Sequence, residues 1–189
     1  MSTDAVRKPE PRLRDASDEG ADPLDPDQPL AVFLVGGEDS LGTAAFAMFQ
    51  SRYAPDYRQV LFVSVGVMDQ TVLDAGVDGT GNFQGTKETE RLLKKTEDSL
   101  RPYIDRARQG GQKARGQVSV SVDVAPEIAR LSGEISSAYP KAVYFLSKLV
   151  FQKPRWFHRW LYGGTSDSIR NALERRGVPV TVLPVVIPL

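Results

Sequence analysis

A short run of apolar residues ending in two glycines constrains this chain more than any other feature. Ala31 to Val35 reads AVFLV, and Gly36 and Gly37 follow at once. Such a run suits a strand covered on both faces, as strands of a parallel sheet are. Paired glycines allow backbone angles and close approaches that a side chain would forbid. Asp39 and Ser40 can cap a helix, and a helical pattern opens at Leu41. The stretch is therefore expected to be strand, tight turn and helix. In an open α/β sheet that junction lies at the carboxyl end of a strand, where ligands gather.

The pattern then repeats in kind. Ser40 to Tyr53 is apolar and alanine-rich (Leu41, Ala44, Ala45, Phe46, Met48, Phe49) and predicts a helix buried along much of its girth, ended by Ala54-Pro55-Asp56. Gln59 to Val67 predicts a second strand, and Asp69 to Gly85 a long loop. Thr86 is the expected cap of the next helix, whose inner face carries Leu93, Leu100, Ile104 and Ala107. Pro102 is expected to kink or split it. Gly116 to Val124 alternates apolar and polar residues and predicts a half-exposed strand. Pro126 fits the first turn of the helix carrying Ile128, Leu131, Ile135 and Ala138. Ala142 to Leu146 predicts a fourth strand, and Lys153 to Tyr162 a short aromatic and basic helix. Gly163-Gly164-Thr165-Ser166 opens a helix running to Arg176, with Gly177 as its cap. Val178 to Ile187 is the last strand, and Pro184 suits it to an edge. Strands alternating with helices imply parallel pairing through right-handed crossovers. The expected fold is α/β, a doubly wound five-stranded parallel sheet.

Charge divides the chain. Met1 to Pro29 holds eight acids and four bases, five prolines and few large apolar side chains. Such a segment buries too little surface to offset its ordering entropy, so residues 1–29 are expected to be a disordered acidic tail and residues 30–189 one domain. No apolar run approaches the ~20 residues that span a bilayer, and no basic stretch followed by an apolar core opens the chain. The expected location is the cytoplasm, with membrane association only through a partner. The absence of cysteine excludes disulfides and thiolate metal sites.

Several chemistries lack their residues. There is no G-x-x-x-x-G-K-[ST] and no G-x-G-x-x-G. His158 is the only histidine, and it sits in the bulky run Arg155 to Trp160, where packing or surface exposure is its expected fate. No acids fall at metal-ligand spacing, so neither a metal nor a catalytic residue is expected. Two glycine turns remain. Gly36, Gly37 and Ser40 form the first; Gly163, Gly164, Thr165 and Ser166 form the second. Each puts free backbone amides at a helix start, where an anion is favoured. In the expected fold they follow strands one and four, neighbours at the point where the strand order reverses. The plain alternative is that each pair only makes a tight turn. A third feature is the absence of acids from Ile135 to Ser166, where Lys153, Arg155, Trp156, Arg159 and Trp160 cluster. Interleaved rings and cations can stack a base over neutralised phosphate, or dock on a partner or membrane surface.

The first strand AVFLVGG, the segment VSVSVDVAPEIARL and the ending GGTSDSIRNALERRGVPVTVLPV resemble the universal stress protein family over Leu30 to Ile187. A narrower resemblance, carried by VLFVSVGVMD, GNFQGTKETERL, AVYFLSKLVFQKPRWFHRWL and VTVLPVVI, is to the soluble C-terminal domain of amino acid–polyamine–organocation (APC) permeases. The first resemblance implies the five-stranded parallel sheet, dimerisation through an edge strand, and in some members ATP. The chain departs from the ATP-binding pattern in two places. Gly36 and Gly37 stand where those members place an aspartate after the first strand. Ser147, Lys148 and Leu149 stand where their glycine-rich loop begins, and only Gly164-Thr165 of that motif remains. The expected function is a non-catalytic regulatory or sensory domain, homodimeric, with ATP, AMP or cyclic di-AMP as candidate ligands and a membrane permease as candidate partner; nucleic acid is not expected. The alternative is an interaction or dimerisation module without a small-molecule ligand.

Overall fold

In a computed structural model the described residues are 14–15, 22–36, 39–68, 84–151 and 164–187. Among these residues six strands make one sheet: β1 (Arg14–Asp15), β2 (Leu30–Val35), β3 (Gln59–Val67), β4 (Lys113–Ser121), β5 (Ala142–Phe151) and β6 (Val180–Ile187). Among the described residues four α-helices join them: α1 (Asp39–Arg52), α2 (Gln84–Gln109), α3 (Val124–Ala138) and α4 (Gly164–Glu174). The order across the sheet is β1-β4-β3-β2-β5-β6. The five long strands are parallel and form the expected doubly wound sheet. Only the two-residue β1 is antiparallel, with Arg14 opposite Val118.

Side chains of β2 alternate between two cores. Ala31, Phe33 and Val35 meet α1 and α2 on one face. Leu30, Val32 and Leu34 meet α3 and α4 on the other. All six residues are buried, which explains why β2 reads as an unbroken apolar run. The first core is aromatic. Phe46 lies edge-on to Phe33, Phe62 and Tyr103, with ring centroids 5.5, 5.1 and 5.9 Å away. In the second, Tyr144 is fully buried, its hydroxyl donating to the Ser132 carbonyl at 3.0 Å, and burial pushes its pKa up to about 12.

Several sequence expectations shift. Helix α1 buries one stripe, Gly42, Ala45, Phe46 and Phe49, while Ala44 and Ala47 are exposed. Alanine is too small to mark a face, so uniform apolarity hid a one-sided helix. Pro102 does not split α2, which is continuous from Gln84 to Gln109 and has Thr86 inside it rather than at its cap. Strand β4 starts three residues before the alternation at Gly116, because Lys113 to Arg115 pair with Gln59 to Leu61. Strand β5 runs past Leu146 to Phe151, paired with β6 throughout its second half. Pro184 lies on edge strand β6, as expected. The expected aromatic helix at 153–162 lies outside the described residues, as does the expected loop Asp69 to Gly85 except for Gln84 and Gly85, which belong to α2.

The boundary at Leu30 also moves. Leu24 is buried in the second core, and the Gln59 side chain binds the backbone of Asp25 and Gln28. The packed domain thus includes residues counted with the tail, because one leucine and one buried amide suffice to anchor them.

Glycine serves two different ends here. Gly111 and Gly177 have φ of +80° and +70° and end α2 and α4. In each the following residue's N–H returns to a carbonyl five residues back, Gln112 to Ala107 and Val178 to Leu173. Gly42 serves packing instead: a Cβ there would lie 2.3 Å from the Tyr103 hydroxyl. Gly42→Ala should therefore cost about 1–3 kcal/mol. Adding Tyr103→Phe should recover part of that loss, read as the denaturant midpoint of single and double variants. Simple additivity of the two changes would show that the helices do not meet there.

Candidate functional site

The candidate site is the rim at the carboxyl ends of β2 and β5. These strands are parallel neighbours, with Leu34 opposite Leu146. Continuing that register puts Val35 level with Ser147 and Gly36 level with Lys148. This is where the winding reverses: α1 leaves β2 over one face, and α4 begins on the other. Gly36 is exposed, and a methyl group placed on it would meet no atom of the described residues within 4 Å. The carbonyl of the preceding residue, Val35, accepts a bond from Ser64 Oγ at 3.1 Å.

The start of α4 is tied to the same level of the sheet. Ser166 Oγ donates to the Ser147 carbonyl at 3.3 Å. Lys148 Nζ donates to Asp167 Oδ1 at 2.7 Å, and each side chain is about a third exposed. Arg170 reaches Asp167 and Glu174, each at 3.7 Å. The first turn of α4 thus presents backbone amides at its amino end, a carboxylate already inside that turn, and a lysine from the strand bound to the carboxylate. Amides and lysine favour an anion, and Asp167 competes with it.

Of the seven expected ligand residues, the structure brings Gly36, Gly164, Thr165 and Ser166 to this rim, with Ser40 in the first turn of α1. Gly37 and Gly163 lie outside the described residues, as do Lys153, Arg155, Trp156, Arg159 and Trp160. No motif in the sequence pairs Lys148 with Asp167. Their separation of 19 residues carries no local signal, and only the return of α4 onto β5 joins them.

A second polar cluster also escaped the sequence. Glu127 on α3 is 6% exposed. It accepts Ser119 Oγ at 2.5 Å and two bonds from the Arg130 guanidinium at 2.7 and 2.9 Å, while Arg130 also bonds Glu134. Burial pushes the Glu127 carboxyl up, but the bonds from Arg130 and Ser119 and the arginine's charge outweigh it and hold the group below its ordinary value. The spacing of three and four residues along a helix was the available signal. Among the described residues no group of three or more histidine, cysteine, aspartate or glutamate side chains could hold a metal, and no helix is long and apolar enough to cross a membrane.

No protein-family model matches this chain, and no curated protein matches it in sequence. Its fold has solved counterparts. It is similar to "hypothetical protein PH0823" at 13% identity, with 84% of this chain and 98% of the other covered and a TM-score of 0.55. It is similar to "hypothetical protein MJ0577" at 8% identity, with 85% and 98% covered and a TM-score of 0.57. A protein from the universal stress protein family of Burkholderia pseudomallei aligns at 16% identity over 82% and 96%, with a TM-score of 0.46. At these identities the first two likenesses are of fold.

Proposed function

We propose that this chain is a non-catalytic regulatory domain that binds a small anionic ligand, an adenine nucleotide, at the rim shared by β2 and β5. One observation carries the reading: β2 and β5 are adjacent and parallel, so open Gly36 and the first turn of α4 share a rim at the reversal of strand order. The residues present fit such a group in part. Backbone amides of the α4 turn and the Lys148 ammonium would receive phosphate, and the space at Gly36 would admit it. Asp167 works against this, since a phosphate must displace its carboxylate from Lys148. Binding is accordingly expected to be weak and to fall with added salt. The narrower reading, a domain like the soluble tails of APC permeases, rests on the sequence resemblance above.

Equilibrium dialysis against ATP, AMP and cyclic di-AMP tests the proposal; absence of binding at millimolar nucleotide would end it. The charges sharpen the test. Lys148→Ala should weaken binding by about tenfold or more, since a bond to a charged group is worth about 1.5–3 kcal/mol. Asp167→Asn should tighten it by removing the competing carboxylate. A loss on Asp167→Asn would mean that the acid holds the site together rather than guarding it.

A second reading, a dimerisation module, is favoured by the edge strand β6, which among the described residues pairs on one side only. Sedimentation of the chain across concentration tests it: a chain that stays monomeric without added nucleotide would end this reading.

A further inference from the structure

The segment Asp22–Pro29, acidic and proline-rich, lies in a shaped receptor at the opposite end of the sheet from the rim of β2 and β5. Leu24 is 7% exposed and packs in the second core with Leu61 and Ile135. The Gln59 side chain, 1% exposed, grips the next residue from both sides. Its Oε1 accepts the Asp25 N–H at 2.8 Å, and its Nε2 donates to the carbonyls of Asp25 at 2.7 Å and Gln28 at 3.2 Å. One buried amide thus reproduces the donor and acceptor that a neighbouring strand would offer. Lys141 Nζ donates to the Asp27 carbonyl at 2.7 Å. Beside Leu24 opens a cavity of about 330 Å³, lined also by Leu61, Arg115, Gln117, Ile135 and Tyr139.

The bound segment holds its own shape. Asp25 Oδ1 accepts the Asp27 N–H at 2.9 Å, Asp25 Oδ2 accepts Gln28 Nε2 at 2.9 Å, and Pro23 and Pro26 restrict the chain on either side. The hydrogen bonds that Gln59 and Lys141 make to the segment all go to its main-chain atoms. An apolar anchor in a pocket combined with main-chain recognition is how domains hold extended peptides.

We propose that the amino-end face of the sheet, formed by Gln59, Lys141 and the Leu61–Ile135 pocket, is a receptor for an extended peptide with one apolar anchor. Residues Leu24–Gln28 of this chain are its resident and displaceable occupant. Among the described residues one anchoring side chain and four hydrogen bonds hold the segment, against two full cores for the sheet, so it opens while the domain stays folded. The tether keeps it in place through high effective concentration rather than strong contacts.

Hydrogen exchange on the full chain reads the opening. The Asp25 amide is expected to exchange about a hundredfold or more faster than those of Phe33 and Phe62. Equal rates, following global unfolding, would overturn the proposal. The second measurement uses the full chain carrying Leu24→Ser, which weakens the resident anchor without touching the receptor. A fluorescent synthetic octapeptide of Asp22–Pro29 should bind this variant, and a peptide with serine in place of its leucine should not. No binding at millimolar peptide, or equal binding of both peptides, would refute a leucine-anchored receptor. Lys141→Ala should weaken the octapeptide severalfold with the core unaltered.

Discussion

Replacing Phe46 by alanine should lower the stability of the domain by about 3–5 kcal/mol, the range for a buried phenylalanine. The ring is 1% exposed and stands where four elements meet: it touches Phe33 of β2, Phe62 of β3, Tyr103 of α2 and, 5.8 Å away and nearly parallel, Phe49 of its own helix. Two terms add. The apolar surface is lost, and the space left has walls of rigid rings that cannot close over it. Stability of a domain is about 5–15 kcal/mol, so the loss is a large share of the total. Phe46→Leu should cost less than half as much by keeping most of the volume. Urea unfolding at neutral pH measures both. A cost near 1 kcal/mol for the alanine would mean that α1 does not pack as described.

Arg130→Ala should cost about 2–3 kcal/mol at pH 7. It leaves the Glu127 carboxylate, 6% exposed, with Ser119 as its remaining side-chain partner. A fully buried pair would lose about 3–5 kcal/mol; the guanidinium here is 34% exposed, so water replaces part of what it supplies. The pH dependence separates charge from packing. In the native chain the folded pKa of Glu127 is depressed below its ordinary 4.5. Its contribution is therefore complete above pH 4.5 and is lost as pH falls through the folded value. Without Arg130, burial prevails and raises the folded pKa above 4.5. The carboxyl then favours folding only when protonated, and stability falls as pH rises through that range. The difference between variant and native chain should accordingly be large at pH 7 and shrink below pH 4. A difference constant with pH would assign the loss to the packing of the arginine stem.

Much of this architecture was legible in local patterns. The unbroken apolar run from Ala31 to Val35 marked a strand covered on both sides, and β2 is buried along its whole length. Pro184 marked an edge, because a residue without an N–H cannot serve a central strand. Gly177 marked the end of α4, where φ is +70°. Element ends were less legible. Lys113 to Arg115 join β4 only because β3 offers them partners, and no property of those three residues announces it.

The sequence by itself determined the alternation of strands and helices, and with it the parallel sheet and the rim on which Gly36 and the start of α4 both lie. Those features follow from periodicity, glycine and proline, which act over a few residues. Tertiary structure alone decided which polar groups remote in sequence meet. It paired Lys148 with Asp167 across 19 residues, and it brought Gln59 to Asp25 across 34. It also made a structural anchor of Leu24, a lone leucine between two prolines in an acidic stretch. The reason is physical: a hydrogen bond or a buried contact depends on position in space, and separation along the chain fixes position only within a single element.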